Sequence, residues 1–152
     1  MRKIIAIIIT LILAVALFSL CGRYENGPAF SMRSAKARLV GEWTLSDLLV
    51  NDKHEQALFD KEASSELILN NDGTYTYKIK AVRANTEMSG LWSFGEDKTE
   101  LLFTEVDTIN GNIEHSYRIT RLTNEEVWLI SGGEEYTGID DLIERHFEKQ
   151  KN

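Results

Sequence analysis

The stretch LVGEWTLSDLL, Leu39 to Leu49, puts Gly41 two residues before Trp43 in a run that otherwise has the composition of a β-strand. Glycine in a strand costs backbone entropy and packs no side chain, so it usually marks a bend or the close approach of another segment. Tryptophan brings a very large side chain to the same place. We therefore expect Gly41 to make room for a neighbouring group beside a buried Trp43.

After this stretch, apolar and polar residues alternate with the period of a β-strand. Following the turn NNDG, Asn70 to Gly73, the run TYTYKIKAV places its tyrosines and Ile79 on one face and its threonines and lysines on the other. The Asp-Gly pair indicates a tight hairpin, because glycine accepts the positive φ that such turns need. Glu66 to Asn70 is therefore predicted to pair with Thr74 to Val82.

The same alternation continues in short runs that are separated by turn residues. These runs are Met88 to Phe94, Leu101 to Phe103, Ile113 to Ile119 and Val127 to Ser131. With the hairpin above and Leu39 to Val50, they make seven strands joined by mostly short connections. The pattern predicts an all-β fold, an antiparallel meander closed into a barrel or a sandwich.

The C-terminal run IDDLIERHFEKQ, Ile139 to Gln150, fits two kinds of element. Its apolar residues fall at helical spacing, and Asp140 could cap such a helix. In a strand, Ile143, Arg145 and Phe147 would instead alternate with their neighbours. Because seven strands leave unpaired edges that an eighth would close, we predict a strand.

The first twenty residues, MRKIIAIIITLILAVALFSL, differ from everything that follows. Arg2 and Lys3 precede an uncharged run from Ile4 to Leu20, and the only cysteine, Cys21, comes next. This is the layout of a secretory leader, although the run is slightly long for a leader and slightly short for a transmembrane span. Residues 1–20 are therefore a lipoprotein signal peptide, an N-terminal membrane anchor, or a leader that is cut elsewhere.

The cysteine favours the first alternative. FSLC, Phe18 to Cys21, resembles the lipobox of bacterial lipoproteins, in which the cysteine is acylated. This resemblance implies lipid attachment at Cys21. Gly22 lacks the aspartate that often retains lipoproteins at the inner membrane, so we expect an outer-membrane protein of the cell envelope, facing the periplasm or the cell surface. Residues 21–38 are predicted to be a tether with a short helix before Leu39, and residues 39–152 the barrel domain.

Charge and motif content argue against several function classes. The formal net charge of -7 makes nucleic acid an unsuitable partner, because that affinity depends on neutralising phosphates. The three histidines, His54, His115 and His146, lie on separate predicted elements. Neither a metal-binding spacing nor a nucleophile motif such as G-x-S-x-G occurs. We predict a non-enzymatic protein with no cofactor and no metal site.

The ordered set LVGEWTL, LILNNDGTYTY, GLWSF and YRITRLTNEEVWL, with the leader, resembles the small lipocalin-like lipoproteins common in Bacteroidetes. Gly41 and Trp43 match the G-x-W of the lipocalin first strand, and Gly90 with Trp92 repeats it. The resemblance implies a single antiparallel up-and-down meander closed into a lipocalin-like β-barrel of about eight strands, with Trp43 packed across its closed end. It also implies a basic residue of the last strand against that tryptophan, for which Arg145 is the candidate.

A binding site is expected at the mouth of the barrel. The long connection Asn51 to Ser64 is predicted to contain a short helix capped by Asn51 or Asp52, and the resemblance implies that it acts as a lid. The predicted ligand contacts are Leu58, Phe59, Tyr75, Tyr77, Trp92, Phe94 and Tyr117. Because most inward side chains are bulky, we expect any pocket to be shallow and near one mouth.

Three functions fit these expectations. The first is an envelope-tethered binding module for a small apolar or amphipathic molecule, with the membrane and that ligand as partners. The second is a protein-interaction or inhibitor module whose barrel is filled by its own side chains. The third is a structural or stress role in the envelope with no ligand, which the sequence does not separate from the second. A cavity of ligand size, about 300 Å³ or more, favours the first function.

Overall fold

A computed structural model describes residues 24–26, 32–80, 85–107, 111–132 and 141–151. The leader and Cys21, on which the anchoring predictions rest, lie outside these residues. The described elements, in chain order, are α1 (Ala35–Leu39), β1 (Gly41–Val50), β2 (Lys53–His54), α2 (Gln56–Glu62), β3 (Glu66–Leu69), β4 (Thr74–Lys80), β5 (Asn85–Phe94), β6 (Glu100–Asp107), β7 (Gly111–Leu122), β8 (Glu126–Gly132) and β9 (Leu142–Lys149).

Eight of these strands form a closed antiparallel barrel. The strands β1 and β3 to β9 pair in chain order, and β9 pairs back onto β1 from Trp43 to Val50. The two-residue β2 extends the other edge of β1 at Leu49 and Val50. The predicted up-and-down barrel is therefore confirmed, and the C-terminal run is the closing strand rather than a helix.

The predicted hairpin forms between β3 and β4. Its ladder runs from Glu66 opposite Lys78 to Leu69 opposite Tyr75. In the turn, the Asp72 carboxylate accepts hydrogen bonds from the backbone N–H and the hydroxyl of Thr74, at 2.9 and 2.7 Å. These local bonds fix the register, and the register places both tyrosines of β4 on the inner face of the barrel.

The densest part of the core closes one end of the barrel. Trp43, Leu39 and Leu122 are fully buried there, and α1 lies across this end. Tyr24 is also buried, and its hydroxyl donates to the carbonyl of Lys98 at 3.1 Å. Residues 24 and 35–38, which we assigned to the tether, thus pack onto the barrel.

The structure explains why a glycine stands at position 41, two residues before Trp43. Its φ is +143°, which favours glycine, and a Cβ there would collide with the side chain of Lys149. The Lys149 Nζ donates to the carbonyls of Arg38 and Val40, at 2.9 and 2.7 Å. The expectation that Gly41 makes room for a neighbouring group is therefore met, and that group is a lysine side chain.

The same lysine corrects the prediction for Arg145. The Lys149 ammonium lies 4.7 Å from the ring centroid of Trp43, whose indole N–H donates to the carbonyl of Leu39 at 2.8 Å. In the β1–β9 ladder Trp43 is opposite Lys149, whereas Arg145 is opposite Leu48. Lys149 is therefore the basic residue against Trp43, and Arg145 is free for another role.

The second signature glycine also permits a close approach. A Cβ on Gly90 would collide with the backbone carbonyl of Thr104 on β6 and would come within 3.1 Å of the Tyr75 ring. Gly90 therefore lets β6 and the Tyr75 ring lie closer to β5 than any other residue would allow.

Candidate ligand-binding site

A cavity of about 290 Å³ occupies the barrel interior between the Trp43 end and the opposite mouth. Most of its lining is apolar or aromatic, and the polar groups are few. Its lining residues are Glu62, Leu67, Tyr75, Tyr77, Ile79, Met88, Phe103, Glu105, His115, Tyr117, Leu129, Ser131, Ile143, Arg145 and Phe147.

The cavity is deeper than the sequence suggested. On β9 alone, Ile143, Arg145 and Phe147 line it. These residues span four steps of a strand, or about 13 Å along the chain. The prediction of a shallow pocket at one mouth is therefore wrong, because eight strands enclose more space than their inward side chains fill.

Aromatic rings form one wall of the cavity. The ring centroids of Tyr75 and Phe103 are 4.6 Å apart, and those of Phe103 and Tyr117 are 5.4 Å apart in an edge-on arrangement. On the neighbouring part of the wall, Tyr77 meets Phe147 at 6.3 Å. Three of the predicted ligand contacts, Tyr75, Tyr77 and Tyr117, thus lie together at the cavity.

The predicted contacts Trp92 and Phe94 lie towards the closed end instead. The indole N–H of Trp92 donates to the carbonyl of Asn70 at 3.0 Å, and the Lys36 ammonium lies 5.9 Å from the Trp92 ring. Phe94 packs edge-on against Trp92 at 5.8 Å. Both rings belong to the packing beneath α1 rather than to the cavity lining.

The predicted lid contains a helix, α2, but its start differs from the expectation. The capping position is Glu55, whose carbonyl accepts the N–H groups of Leu58 and Phe59 at 3.2 and 2.9 Å. Asn51 and Asp52 have positive φ and form the turn between β1 and β2. The capping role predicted for these two residues is therefore wrong.

The apolar residues of α2 also face differently from the prediction. Leu58 and Phe59 are half-buried, and the Phe59 ring packs on the barrel and lies 6.0 Å from the His54 ring. Neither is among the cavity-lining residues, whereas Glu62, at the end of the same helix, is one of them. The helix therefore meets the cavity through a carboxylate.

Glu62 is held by Arg145 of β9. The guanidinium donates from Nε to Glu62 Oε2 at 2.9 Å and from Nη2 to Oε1 at 3.1 Å. The side chains of Arg145 and Glu62 are only 19% and 20% exposed. Burial, together with the Glu62 charge, raises the pKa of Tyr77 to about 12. This two-point ion pair fastens the end of α2 to the barrel wall.

A second carboxylate, Glu105 of β6, lines the cavity without such a partner. The Tyr75 hydroxyl donates to its Oε1 at 3.4 Å, and burial together with the Glu105 charge raises the pKa of Tyr75. Within the described ranges, no lysine or arginine forms a salt bridge with Glu105. As far as the structure describes the chain, the cavity therefore holds one carboxylate that is paired with a cation, Glu62, and one that is not, Glu105.

Sequence reasoning missed both carboxylates. Glu105 has a readable signal, because it follows Leu101 and Phe103 at period two and so shares their inward face. Glu62 has no such signal, because the position of its helix depends on contacts with distant parts of the barrel, among them the Phe59 packing and the ion pair with Arg145. His115, which lies opposite Phe103 in the ladder, also points into the cavity.

The cavity combines apolar walls with a few charged side chains, which suits the binding of a small molecule. In the part of the chain that the structure describes, no group of three or more His, Cys, Asp or Glu residues is placed to hold a metal ion. No helix among the described residues is both long and apolar enough to cross a membrane. The site offers apolar surface inside the barrel together with three charged side chains, those of Glu62, Glu105 and Arg145.

Comparison with known proteins places the fold. No family model matches the chain, and no curated protein matches its sequence. Insecticyanin from the tobacco hornworm Manduca sexta matches 87% of this chain and 70% of its own, with a TM-score of 0.59 and 9% identity. Bovine odorant-binding protein in complex with a selenium-containing odorant matches 82% and 78%, with a TM-score of 0.49 and 11% identity.

The same bovine protein in complex with undecanal matches at a TM-score of 0.49 and 10% identity. At such identities a likeness concerns the fold alone. The match to insecticyanin, together with the closed eight-stranded barrel, shows that this chain has the lipocalin fold.

Proposed function

We propose that this protein is a non-enzymatic binding module that takes one small apolar or amphipathic molecule into its barrel. The observation that carries the proposal is the cavity of about 290 Å³, lined mainly by apolar and aromatic side chains. Ligand pockets are usually of about 300–1,000 Å³ and combine apolar walls with a few polar groups. The cavity stands at the lower end of that range, so the ligand is small.

Burial of apolar ligand surface in this cavity favours binding. Apolar burial contributes about 25 cal/mol per Å². Part of that gain offsets the loss of translational and rotational freedom on association. Because the rings of Tyr75, Phe103 and Tyr117 are already packed against one another, the ligand meets a preformed wall. A hollow barrel supports this function over the interaction or inhibitor module, which expects a filled one.

The proposal is tested by native mass spectrometry of protein purified from its own membranes, and by fluorescence titration with fatty acids and hydrophobic dyes. A co-purifying small molecule or saturable binding supports the proposal. Met88→Trp places a large ring in the cavity and should abolish binding, whereas Leu91→Trp, on the exposed face of the same strand, should not. If Met88→Trp binds the ligand as tightly as Leu91→Trp, the ligand binds outside the cavity.

The proposal includes tethering of the module to the cell envelope through lipid on Cys21, at the outer membrane. The support is in the sequence: two basic residues, an uncharged run to Leu20 and the lone cysteine directly after it. Growth with labelled palmitate should label the wild-type protein, and Cys21→Ala should abolish the label. An unlabelled wild-type protein would refute the anchor and leave the binding function untouched.

A further inference from the structure

The charges that line the cavity do not balance. Among the described lining residues, Glu62 and Glu105 carry carboxylates and Arg145 carries a guanidinium. Arg145 is committed to Glu62 by two hydrogen bonds and also donates to the Ser131 hydroxyl at 3.3 Å. Glu105 has the Tyr75 hydroxyl at 3.4 Å as its hydrogen-bond partner in the described part of the chain. Among the described residues, one negative charge therefore faces the cavity without a cationic partner.

Aromatic rings surround the same position. Glu105 lies opposite Gly90 in the β5–β6 ladder, and the missing side chain at Gly90 lets the Tyr75 ring come close. Tyr75 packs on Phe103, which is two residues before Glu105 on the inner face of β6, and Phe103 packs on Tyr117. Aromatic faces attract cations, and this attraction grows when the cation is removed from water.

We propose that the cavity is selective for small apolar amines, whose protonated nitrogen pairs with Glu105 beside the rings of Tyr75, Phe103 and Tyr117. The inference rests on the proposed binding function and adds the chemical class of the ligand. The amine supplies the charge that Glu105 lacks, and its apolar body takes the place of water against the rest of the wall.

An acidic ligand is disfavoured by the same geometry. To pair with Arg145 through Nε and Nη2, a ligand carboxylate has to displace Glu62, whose side chain is only 20% exposed. That exchange leaves a buried carboxylate without its cation, which is strongly unfavourable. An amine at Glu105 disturbs no existing ion pair.

The test compares three ligands with the same eight-carbon chain: octylamine, 1-octanol and octanoate. The full chain is held in phosphatidylcholine nanodiscs, binding is followed by calorimetry at pH 8, and protein-free nanodiscs correct for partition into lipid. At pH 8 octylamine carries a positive charge and octanoate a negative one, so the three ligands differ in charge but share one apolar chain. We expect octylamine to bind on the order of 10-fold more tightly than 1-octanol, and octanoate to bind no more tightly than 1-octanol.

Substitutions of Glu105 test whether this residue causes the preference for octylamine over 1-octanol. Glu105→Gln should reduce the preference for octylamine to within about 2-fold of 1-octanol, whereas Glu105→Asp, which keeps the charge, should retain it. Glu114→Gln is the matched control, since Glu114 is exposed on the neighbouring strand and points away from the cavity. That variant should leave all three affinities unchanged.

The outcomes separate the two proposals. If 1-octanol binds as tightly as octylamine, or if Glu105→Gln keeps the preference, the amine inference is overturned and the binding function stands. If octanoate binds most tightly, Arg145 rather than Glu105 determines selectivity, and the inference is again overturned. If none of the three binds, both proposals fail together.

Discussion

The ion pair between Glu62 and Arg145 gives the sharpest prediction about stability. The change is Glu62→Gln, which keeps the shape of the side chain but removes the charge that faces the guanidinium. Both partners are about one-fifth exposed, and they share two hydrogen bonds of 2.9 and 3.1 Å. The variant leaves Arg145 in a mostly buried position without its counter-charge.

The expected cost follows from that geometry. Removing one partner of a fully buried ion pair costs about 3–5 kcal/mol. The residual exposure lets water reach the guanidinium, so we expect a loss of about 2–3 kcal/mol in the free energy of unfolding. A domain of this size has about 5–15 kcal/mol in total. The double variant Glu62→Leu with Arg145→Met removes both charges and should lie within about 1 kcal/mol of the wild type.

Urea unfolding measures these free energies. A double-mutant cycle of Glu62→Leu and Arg145→Met, with each single variant and the double variant, isolates the coupling between the two residues. Hydrogen exchange supplies a local readout: the amides of α2 should exchange faster in Glu62→Gln, because the ion pair fastens this helix to the barrel wall. The matched control is Glu25→Gln. Glu25 pairs with Arg118 at 3.0 Å, but those side chains are 64% and 52% exposed, so its loss should cost less than about 0.5 kcal/mol.

The reasoning is refuted if Glu62→Gln costs no more than Glu25→Gln, or if the double variant is as unstable as the sum of its single changes. Either result would mean that the two charges do not depend on each other and that another contact holds α2. If the α2 amides exchange at the same rate in Glu62→Gln as in the wild type, the ion pair does not hold α2 on the barrel, even if the free energy of unfolding falls.

Three further predictions test the core and the cavity. Trp43→Ala should cost about 3–5 kcal/mol in urea unfolding, because Trp43 is fully buried, and a variant as stable as its parent would place the ring outside the core. Lys149→Met should be destabilised in the same assay, since two carbonyls lose a charged donor, whereas unchanged stability would deny that role. The folded-state pKa of Tyr77 is raised to about 12 from an ordinary 10, so its contribution to stability is complete below pH 10 and is lost as pH rises from 10 to 12. Tyr77→Phe should show a shallower fall over that range, and an identical pH dependence would contradict the assignment.

The strands were predictable because their physics is local. Tyr75 and Tyr77 alternate with polar residues, and a strand turns successive side chains to opposite faces. The turn around Asp72 and Gly73 supplies its own hydrogen bonds. These features favour a meander through local interactions, and closure by the C-terminal strand is favoured because unpaired edges are costly.

The site was predictable only in part. Tyr75, Tyr77 and Tyr117 line the cavity as expected, because an inward face on a barrel strand leads to the interior. Trp92 and Phe94 also point inward but lie at the level of α1, and their height depends on the stagger of the strands. The alternation of residues along a strand determines whether a side chain points into or out of the barrel. The register of all the strands determines where along the barrel axis that side chain lies.

The sequence by itself determined the period-two strands, the tight turn and the need for space at Gly41. Only the tertiary structure decided that Lys149, and not Arg145, fills that space. The two residues are four positions apart on one strand and share a face, so alternation cannot separate them. The choice depends on the β1–β9 register, which shifts between Leu45 and Asp47 and sets Trp43 opposite Lys149. The cavity also depends on tertiary structure. Its volume is the interior volume of the closed barrel minus the volume of the inward side chains, and the barrel interior exists only when all eight strands are paired.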